Sequence, residues 1–390
     1  MPEPGLVSAT VLERCTHLDR QTFAESVWSV RPSLSHAAEL PAPGYSDLFG
    51  INQADQLLSR QGLRTPFLRA AKDGVALSPG SIAGPAGVGA QISDQVDDTK
   101  VTGLFASGAT IVLQGLHRTH PPLEAFARGL AGELGHPVQV NAYITPPESQ
   151  GFSAHYDTHD VFVLQVCGRK RWIIHEPVID SPLPQQPWPA RREAVEAAAS
   201  AAPHMEAILE PGDALYLPRG WLHAAVALDQ ISIHLTVGIH VWTRRHLVER
   251  ILASAGERQP FRTSLPIGVD FGDPSTFKDD FAAVVSALRA VADEAAMDEV
   301  SEALRDQVGR SMRPEPIGPI AQGLLAHEAG PDLAIRWRDG IRRDARPSID
   351  TDCDLRALQR LCAGGTVTAG ELGLATARAA LAEGLVVPCP

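Results

Sequence analysis

Val138-Gln-Val-Asn141-Ala-Tyr143-Ile-Thr-Pro-Pro-Glu-Ser-Gln-Gly-Phe-Ser-Ala-His155-Tyr-Asp157-Thr-His-Asp160-Val-Phe-Val-Leu-Gln-Val-Cys-Gly168-Arg-Lys170-Arg-Trp-Ile-Ile174 carries the strand and turn signals of the chain's central domain. Val138 to Ile144 has the composition of a strand and stops at Thr145-Pro146-Pro147. Val161 to Val166, a tight turn at Gly168, and Lys170 to Ile174 read as a β-hairpin. Between them lies His155-Tyr156-Asp157, whose first and third side chains share a face if the segment is extended, with Tyr156 turned away. A second stretch answers it. Glu210-Pro-Gly-Asp213 turns the chain, Leu215-Tyr-Leu217 is apolar strand, and Pro218-Arg-Gly220 turns it again just before His223.

Two imidazoles and one carboxylate form the ligand set that holds a non-haem Fe(II) on one face and leaves the other open. A lone His-x-Asp is commonly a polar loop pair, and an isolated histidine such as His223 is more often a hydrogen-bonded core residue. The pairing of the two motifs tips the reading toward a metal. Three such ligands do not define a reaction, because the remaining iron positions accept water, a diketone, or a 2-oxoacid with O2. A 2-oxoglutarate co-substrate would need a cation for its distal carboxylate. Lys170 suits that role: its ammonium is a compact charge, and strand alternation turns Arg169 and Arg171 to the other face. The competing reading is three solvated cations. Asn141 and Tyr143 share a strand face and offer an amide and a phenol to bound oxygens, while Gln165 and Trp172 either line the same cavity or belong to the core.

Working outward, Phe23 to Trp28 and Ile51 to Arg60 have helical spacing, Ala109 to Leu113 is a buried strand, and Pro121 to Leu134 is a helix closed by Gly135. Ala190 to Ala202 is a helical excursion and Ile231 to Ile239 another strand. Short strands with Gly/Pro turns over 109–241 predict an antiparallel double-sheet barrel within an α+β chain. Beyond Thr243 the period turns helical, at His246–Ala253, Phe281–Val291 and Met297–Val308. A linker at Arg313–Pro319 precedes short helices at Leu355–Leu361, Thr368–Leu372 and Ala375–Leu381 and a terminal strand, Gly384–Val387.

A chain of 390 residues exceeds one ordinary small domain. No run approaches the ~20 apolar residues that cross a bilayer, and the start lacks a secretion signal, so a cytoplasmic location and no membrane partner are expected. The net charge of −12 argues against direct nucleic-acid binding. Five cysteines, odd in number and without a CxxC pair, argue against a zinc knuckle or a disulfide framework.

The run from Val140 to Trp172, with Pro211 to His223, resembles the JmjC-type ribosomal oxygenases, cupin-fold Fe(II)/2-oxoglutarate protein hydroxylases. The resemblance in order and spacing extends from about Phe23 to Gly268. It implies a double-stranded β-helix (jelly-roll, cupin) catalytic domain over 1–242. It further implies a helical dimerisation region over 243–315, hence a homodimer, and a winged-helix-like domain over 316–390. It implies that His155, Asp157 and His223 bind iron and are catalytic. Lys170 then anchors 2-oxoglutarate, and Asn141 and Tyr143 belong to the co-substrate or substrate pocket. His159 and Asp160 are read as partners of the ligands. In the C-terminal domain Arg336, Arg338, Arg342, Arg343, Arg346, Arg356, Arg360 and Arg378 are offset by acids, which favours a protein-interaction or structural role over DNA binding.

The leading expectation is therefore an Fe(II)-, 2-oxoglutarate- and O2-dependent dioxygenase that hydroxylates an arginine or histidine side chain of a ribosomal protein. Two others stay open: a hydroxylase of a natural-product precursor peptide, and a non-catalytic cupin-like scaffold.

Overall fold

The structure, a computed structural model, describes residues 9–41, 44–89, 91–341 and 353–389. Arg342, Arg343 and Arg346 lie outside the described residues. The chain divides into two compact units, Met1–Val241 and Trp242–Pro390.

The first unit opens with α1 (Arg20–Ser26), capped by the Asp19 carboxylate on the Thr22 N–H, and β1 (Ser33–Ser35). Next come α2 (Ile51–Arg60), β2 (Leu68–Lys72), β3 (Val75–Ala76), β4 (Ala83–Gly84), β5 (Gln95–Val96) and α3 (Asp98–Ala106). β6 (Thr110–Leu113) and α4 (Leu116–Thr119) lead into α5 (Pro121–Leu134), which begins on Pro121 and ends on Gly135 in the left-handed region, φ 72°. The barrel strands follow: β7 (Val138–Thr145), β8 (Asp160–Cys167), β9 (Lys170–His175), β10 (Met205–Leu209), β11 (Ala214–Leu217), β12 (Leu222–Ala227) and β13 (Ser232–Ile239), with α6 (Arg192–Ala199) between β9 and β10.

Two antiparallel sheets face each other. The larger has the order β1-β11-β8-β13-β7-β6-β2-β3 and the smaller β10-β9-β12. Alternation along the strands explains the layers. Phe162 and Leu164 of β8 join Phe23, Leu123, Phe126 and Leu130 in a core between the larger sheet and its helices. Val161 and Val163 point the other way, into a second core with Trp172, Ile174, Leu209, Leu215 and Leu217. The barrel interior is thus a separate apolar layer, and the site opens from it.

The expected hairpin is corrected. β8 and β9 are consecutive but do not pair: β8 hydrogen-bonds β11 and β13, whereas β9 bonds β10 and β12. The chain crosses from one sheet to the other at Gly168, φ 63°. Gln165 pins this corner, its Nε2 donating to the carbonyls of Cys167 and Gly168 and to Ser232 Oγ. Gln165 therefore serves the turn. The strand β12, which carries His223, was not expected, nor was β10.

In the second unit, α7 (Arg244–Ala253), α8 (Lys278–Glu294) and α9 (Met297–Ser311) precede α10 (Pro319–Glu328) and β14 (Ala334–Trp337). Then come α11 (Leu355–Cys362), β15 (Thr366–Thr368), α12 (Ala369–Leu372), α13 (Leu374–Ala382) and β16 (Val386–Pro388). A three-stranded sheet, β15-β14-β16, shares a core with the last four helices through Ile335, Trp337, Leu358, Leu361, Leu372, Leu381 and Val386. Arg336 and Arg338 are committed within this unit, to the Glu315 carboxylate and to the Glu315 and Gly384 carbonyls. No described helix is long and apolar enough to cross a membrane.

Candidate metal centre and its cavity

His155 and His223 meet across a short antiparallel bridge outside the main ladders. The His223 N–H donates to the His155 carbonyl (2.8 Å) and the His155 N–H returns the bond (3.2 Å). This bridge sets the two rings side by side, centroids 4.5 Å apart. The Gly220 N–H donates to the Asp157 carbonyl (3.0 Å), tying the second turn to the first motif. Asp157 Oδ2 then lies 3.7 Å from His223 Nε2, and one ligand atom from each of His155, Asp157 and His223 falls within 4.8 Å of the others.

The chemistry of these donors suits a divalent cation. His155 Nδ1 lies 2.8 Å from the Ser153 carbonyl and His223 Nδ1 3.1 Å from the Trp221 carbonyl. A carbonyl only accepts, so each Nδ1 carries the hydrogen and each Nε2 lone pair is left for an ion, as in metal-binding histidines generally. Burial, reinforced by the neighbouring His155, holds His223 down to about 4 despite the Asp157 carboxylate, so its ring is neutral at pH 7. Burial works to raise Asp157, but His159, His223, His155 and Arg69 outweigh it and keep the carboxyl ionised. A neutral His223 ring and an ionised Asp157 carboxylate thus stand beside the His155 Nε2.

A narrow cavity runs inward from these three residues, lined by Thr110, Tyr143, Val163, Trp172, His234 and Lys170 among others. Lys170 stands at the start of β9 with 3% of its surface exposed, while Arg171 turns outward as alternation requires. Lys170 Nζ donates to Thr145 Oγ1 (3.0 Å) and lies 3.5 Å from His234 Nδ1. Neither partner is an anion. Burial alone pulls Lys170 down to about 7, and burial with the Lys170 charge keeps His234 well below its ordinary value. The cavity end therefore holds a buried amine with no counter-charge among the described residues. Trp172 adds a second unsatisfied group: its indole Nε1 is buried and finds no acceptor among the described residues.

Tyr143 lines this cavity, stacked on His234 with centroids 4.9 Å apart. Burial first, then Asp157, pushes its phenol up to about 12, so it stays protonated and able to donate. Asn141 occupies the same strand face, but its Oδ1 accepts the Gly115 N–H (3.0 Å) and it does not line the cavity. Asp160 is fully buried and accepts from Ser29, Tyr216 and Arg219. His159 sits beside Gln139 and His240. Neither is among the three converging ligands.

Thr145 and His234 were not singled out from sequence. The signal was there: Thr145 continues the Asn141, Tyr143 face, and His234 with Thr236 alternates against Ile233, Leu235 and Val237. Outside the three ligands a wider groove of about 480 Å3 opens, with Arg69, Phe152, Trp188, Arg192 and Glu196 on its walls. Its walls come from β2, the β7–β8 connection and the α6 excursion, segments far apart in sequence.

Residues 126–247 match the JmjC domain family. Ribosomal oxygenase 1 of Rattus norvegicus is 30% identical over 283 residues, which is 66% of this chain and 44% of that protein. The Drosophila persimilis protein named bifunctional lysine-specific demethylase and histidyl-hydroxylase NO66 is 37% identical over 139 residues, 34% of this chain and 19% of its own length. The chain thus spans less than half the length of these curated relatives. Among solved structures, Escherichia coli ribosomal oxygenase YcfD superposes with a TM-score of 0.55 at 17% identity, covering 95% of this chain and 98% of that one. The YcfD complex with cobalt and 2-oxoglutarate gives 0.52 at 16% identity, covering 96% and 99%. At such identity the likeness establishes the fold.

Proposed function

We propose that this chain, whose residues 126–247 match the JmjC domain family and which is similar to ribosomal oxygenase 1, is an Fe(II)- and 2-oxoglutarate-dependent dioxygenase that hydroxylates a side chain of a ribosomal protein. The observation that carries the reading is the pairing of two ends of one cavity. One end holds two imidazoles with their Nδ1 hydrogens already spent on carbonyls, beside an ionised carboxylate. The other holds Lys170, buried and without an anion beside it among the described residues. A metal-chelating keto acid with a distal carboxylate satisfies both ends at once.

With iron and co-substrate bound, the chemistry supplied is oxidative decarboxylation of 2-oxoglutarate by O2, giving succinate, CO2 and one oxygen atom inserted into a C–H bond. The protein's part is placement and shielding. His155, Asp157 and His223 would hold the ion. Lys170 and Thr145 fix the distal carboxylate, and His234 accepts from the ammonium while staying neutral itself. Tyr143 and Trp172 offer O–H and N–H donors to oxygens in the cavity. Apolar neighbours such as Val161 and Val163 exclude water from the inner end. Asn141 contributes by holding the Gly115 turn.

The helices α7–α9 serve as the dimerisation region of this reading and the β14–β16 sheet with its helices as the winged-helix-like domain, with a cytoplasmic location. The intact ligand set speaks against a silent scaffold. Titration of the purified full chain with Mn(II), then with 2-oxoglutarate, tests the reading. Saturable metal binding that is required for 2-oxoglutarate binding supports it, and co-substrate binding indifferent to the metal refutes it.

A further inference from the structure

Lys170 and Trp172 stand two apart on β9, on the face turned to the cavity, with 3% and 4% of their surfaces exposed. The Lys170 amine meets only the neutral partners Thr145 Oγ1 and His234 Nδ1. The Trp172 indole N–H meets no acceptor among the described residues. Val161, Val163 and Ala225 make the lining beside them apolar. Such surroundings favour the uncharged amine over the ammonium, and burial draws Lys170 down to about 7. A desolvated, uncharged lysine amine is a nucleophile. A narrow cavity admits only a small electrophile to it, and CO2 is one.

We propose that Lys170 is a carbamylation site, at which CO2 adds reversibly to the side-chain amine and the Trp172 indole N–H holds the carbamate. The Nζ lone pair forms a C–N bond to the carbon of CO2, one C=O π pair moves onto oxygen, and the nitrogen gives up one proton to water. The product, –NH–COO−, carries one negative charge where the amine carried none. No oxidant or reductant takes part. The new anion brings two oxygens to a place where a buried N–H is without an acceptor, and the Thr145 hydroxyl can turn its hydrogen toward them. The hydrogen that remains on Nζ keeps His234 Nδ1 as its acceptor. A buried carboxylate persists only when its oxygens are hydrogen-bonded, so the indole is the deciding partner. A carbamate and the distal carboxylate of 2-oxoglutarate claim the same donors. Under the oxygenase reading, on which this one consequence rests, turnover releases CO2 in the same cavity and the modified Lys170 is an inactive form of the site.

The test equilibrates the full chain, without added metal or 2-oxoglutarate, with isotopically labelled bicarbonate in mildly alkaline buffer. Carbamates are then trapped by O-ethylation with triethyloxonium and located by peptide mapping. The expected result is a labelled ethyl carbamate on Lys170, at higher occupancy than on the exposed Lys100 and Lys278. Trp172→Phe keeps the amine and removes the indole N–H. It should lower the affinity for CO2, read from occupancy against bicarbonate concentration, by about tenfold, the worth of one buried hydrogen bond to a charged group. An adduct absent from Lys170, occupancy there no greater than on Lys100 and Lys278, or an affinity unmoved by Trp172→Phe overturns the proposal. Failure of the oxygenase reading has a different signature: the Lys170 adduct still forms, but saturating Mn(II) and 2-oxoglutarate leave it in place.

Discussion

Arg219 Nη1 lies 3.1 Å from Asp160 Oδ1, in a pair whose carboxylate is fully buried and whose guanidinium is nearly so. The same carboxylate accepts the Arg219 backbone N–H (3.1 Å), the Ser29 hydroxyl (2.8 Å) and the Tyr216 hydroxyl. Ser29 adopts φ 54°, a left-handed conformation unusual for serine, and its N–H donates to Tyr216 Oη. Asp160 follows Asp157 by three residues and Arg219 precedes His223 by four, so the pair clamps the two ligand-bearing turns together.

Removing one partner leaves the other buried and uncompensated. Asp160→Ala is therefore expected to lower unfolding stability by about 3–5 kcal/mol, and to weaken Mn(II) binding by roughly 10–100-fold, as loss of support behind metal ligands generally does. Chemical denaturation and metal titration measure the two effects. Metal affinity equal to wild type in a destabilised but folded variant would show that the clamp serves the fold alone.

Lys170 gives a pH dependence with a definite sign. Its folded value is near 7 against an ordinary 10.5. Between those limits the unfolded chain holds a proton that the folded chain has lost, so stability rises with pH across this window. Below it the full cost of burying the ammonium is felt. Lys170→Met should remove that slope and raise the stability of the ligand-free protein at neutral pH. Co-substrate binding runs the other way: it needs the ammonium, so 2-oxoglutarate affinity falls as pH rises above about 7, and it collapses in Lys170→Met. Calorimetry at several pH values checks both.

His223→Ala removes a ligand whose ring is already neutral and oriented by the Trp221 carbonyl. Mn(II) or Co(II) affinity should drop at least about 100-fold while the fold survives. Circular dichroism paired with metal titration separates the two quantities.

Gly168→Ala tests the crossover between sheets. A Cβ there would press into the Ile231 carbonyl, at a φ that disfavours side chains. A loss of roughly 2–4 kcal/mol is expected. A hairpin turn open to solvent would tolerate the change far better, so a near-neutral denaturation midpoint would contradict the corner described here.

Some of this was legible in the sequence for physical reasons, and some was not. The α5 boundaries could be read because Pro121 and Gly135 act through their own backbone restrictions. The side-by-side placement of His155 and Asp157 follows from local extension. The partner of β8 could not be read: a glycine after a strand looks the same whether the chain folds back or crosses to the facing sheet. That choice is made by β11 and β13, which arrive some fifty to seventy residues later. β12 escaped notice because His223-Ala-Ala-Val-Ala227 offers too few branched residues to announce a strand. Asn141 shares a face with Tyr143, yet only the fold reveals that Gly115 claims its oxygen.

If His155, Asp157, His223 and Lys170 support oxygen insertion into a ribosomal protein, the purified chain must perform it on ribosomes. The most direct measurement incubates the purified full chain with Fe(II), 2-oxoglutarate, O2 and ribosomes from cells lacking it, and follows succinate and intact protein masses. Succinate formation together with the gain of one oxygen atom on a ribosomal protein is expected, both lost in His155→Ala. Succinate and masses indistinguishable between wild type and His155→Ala would contradict it.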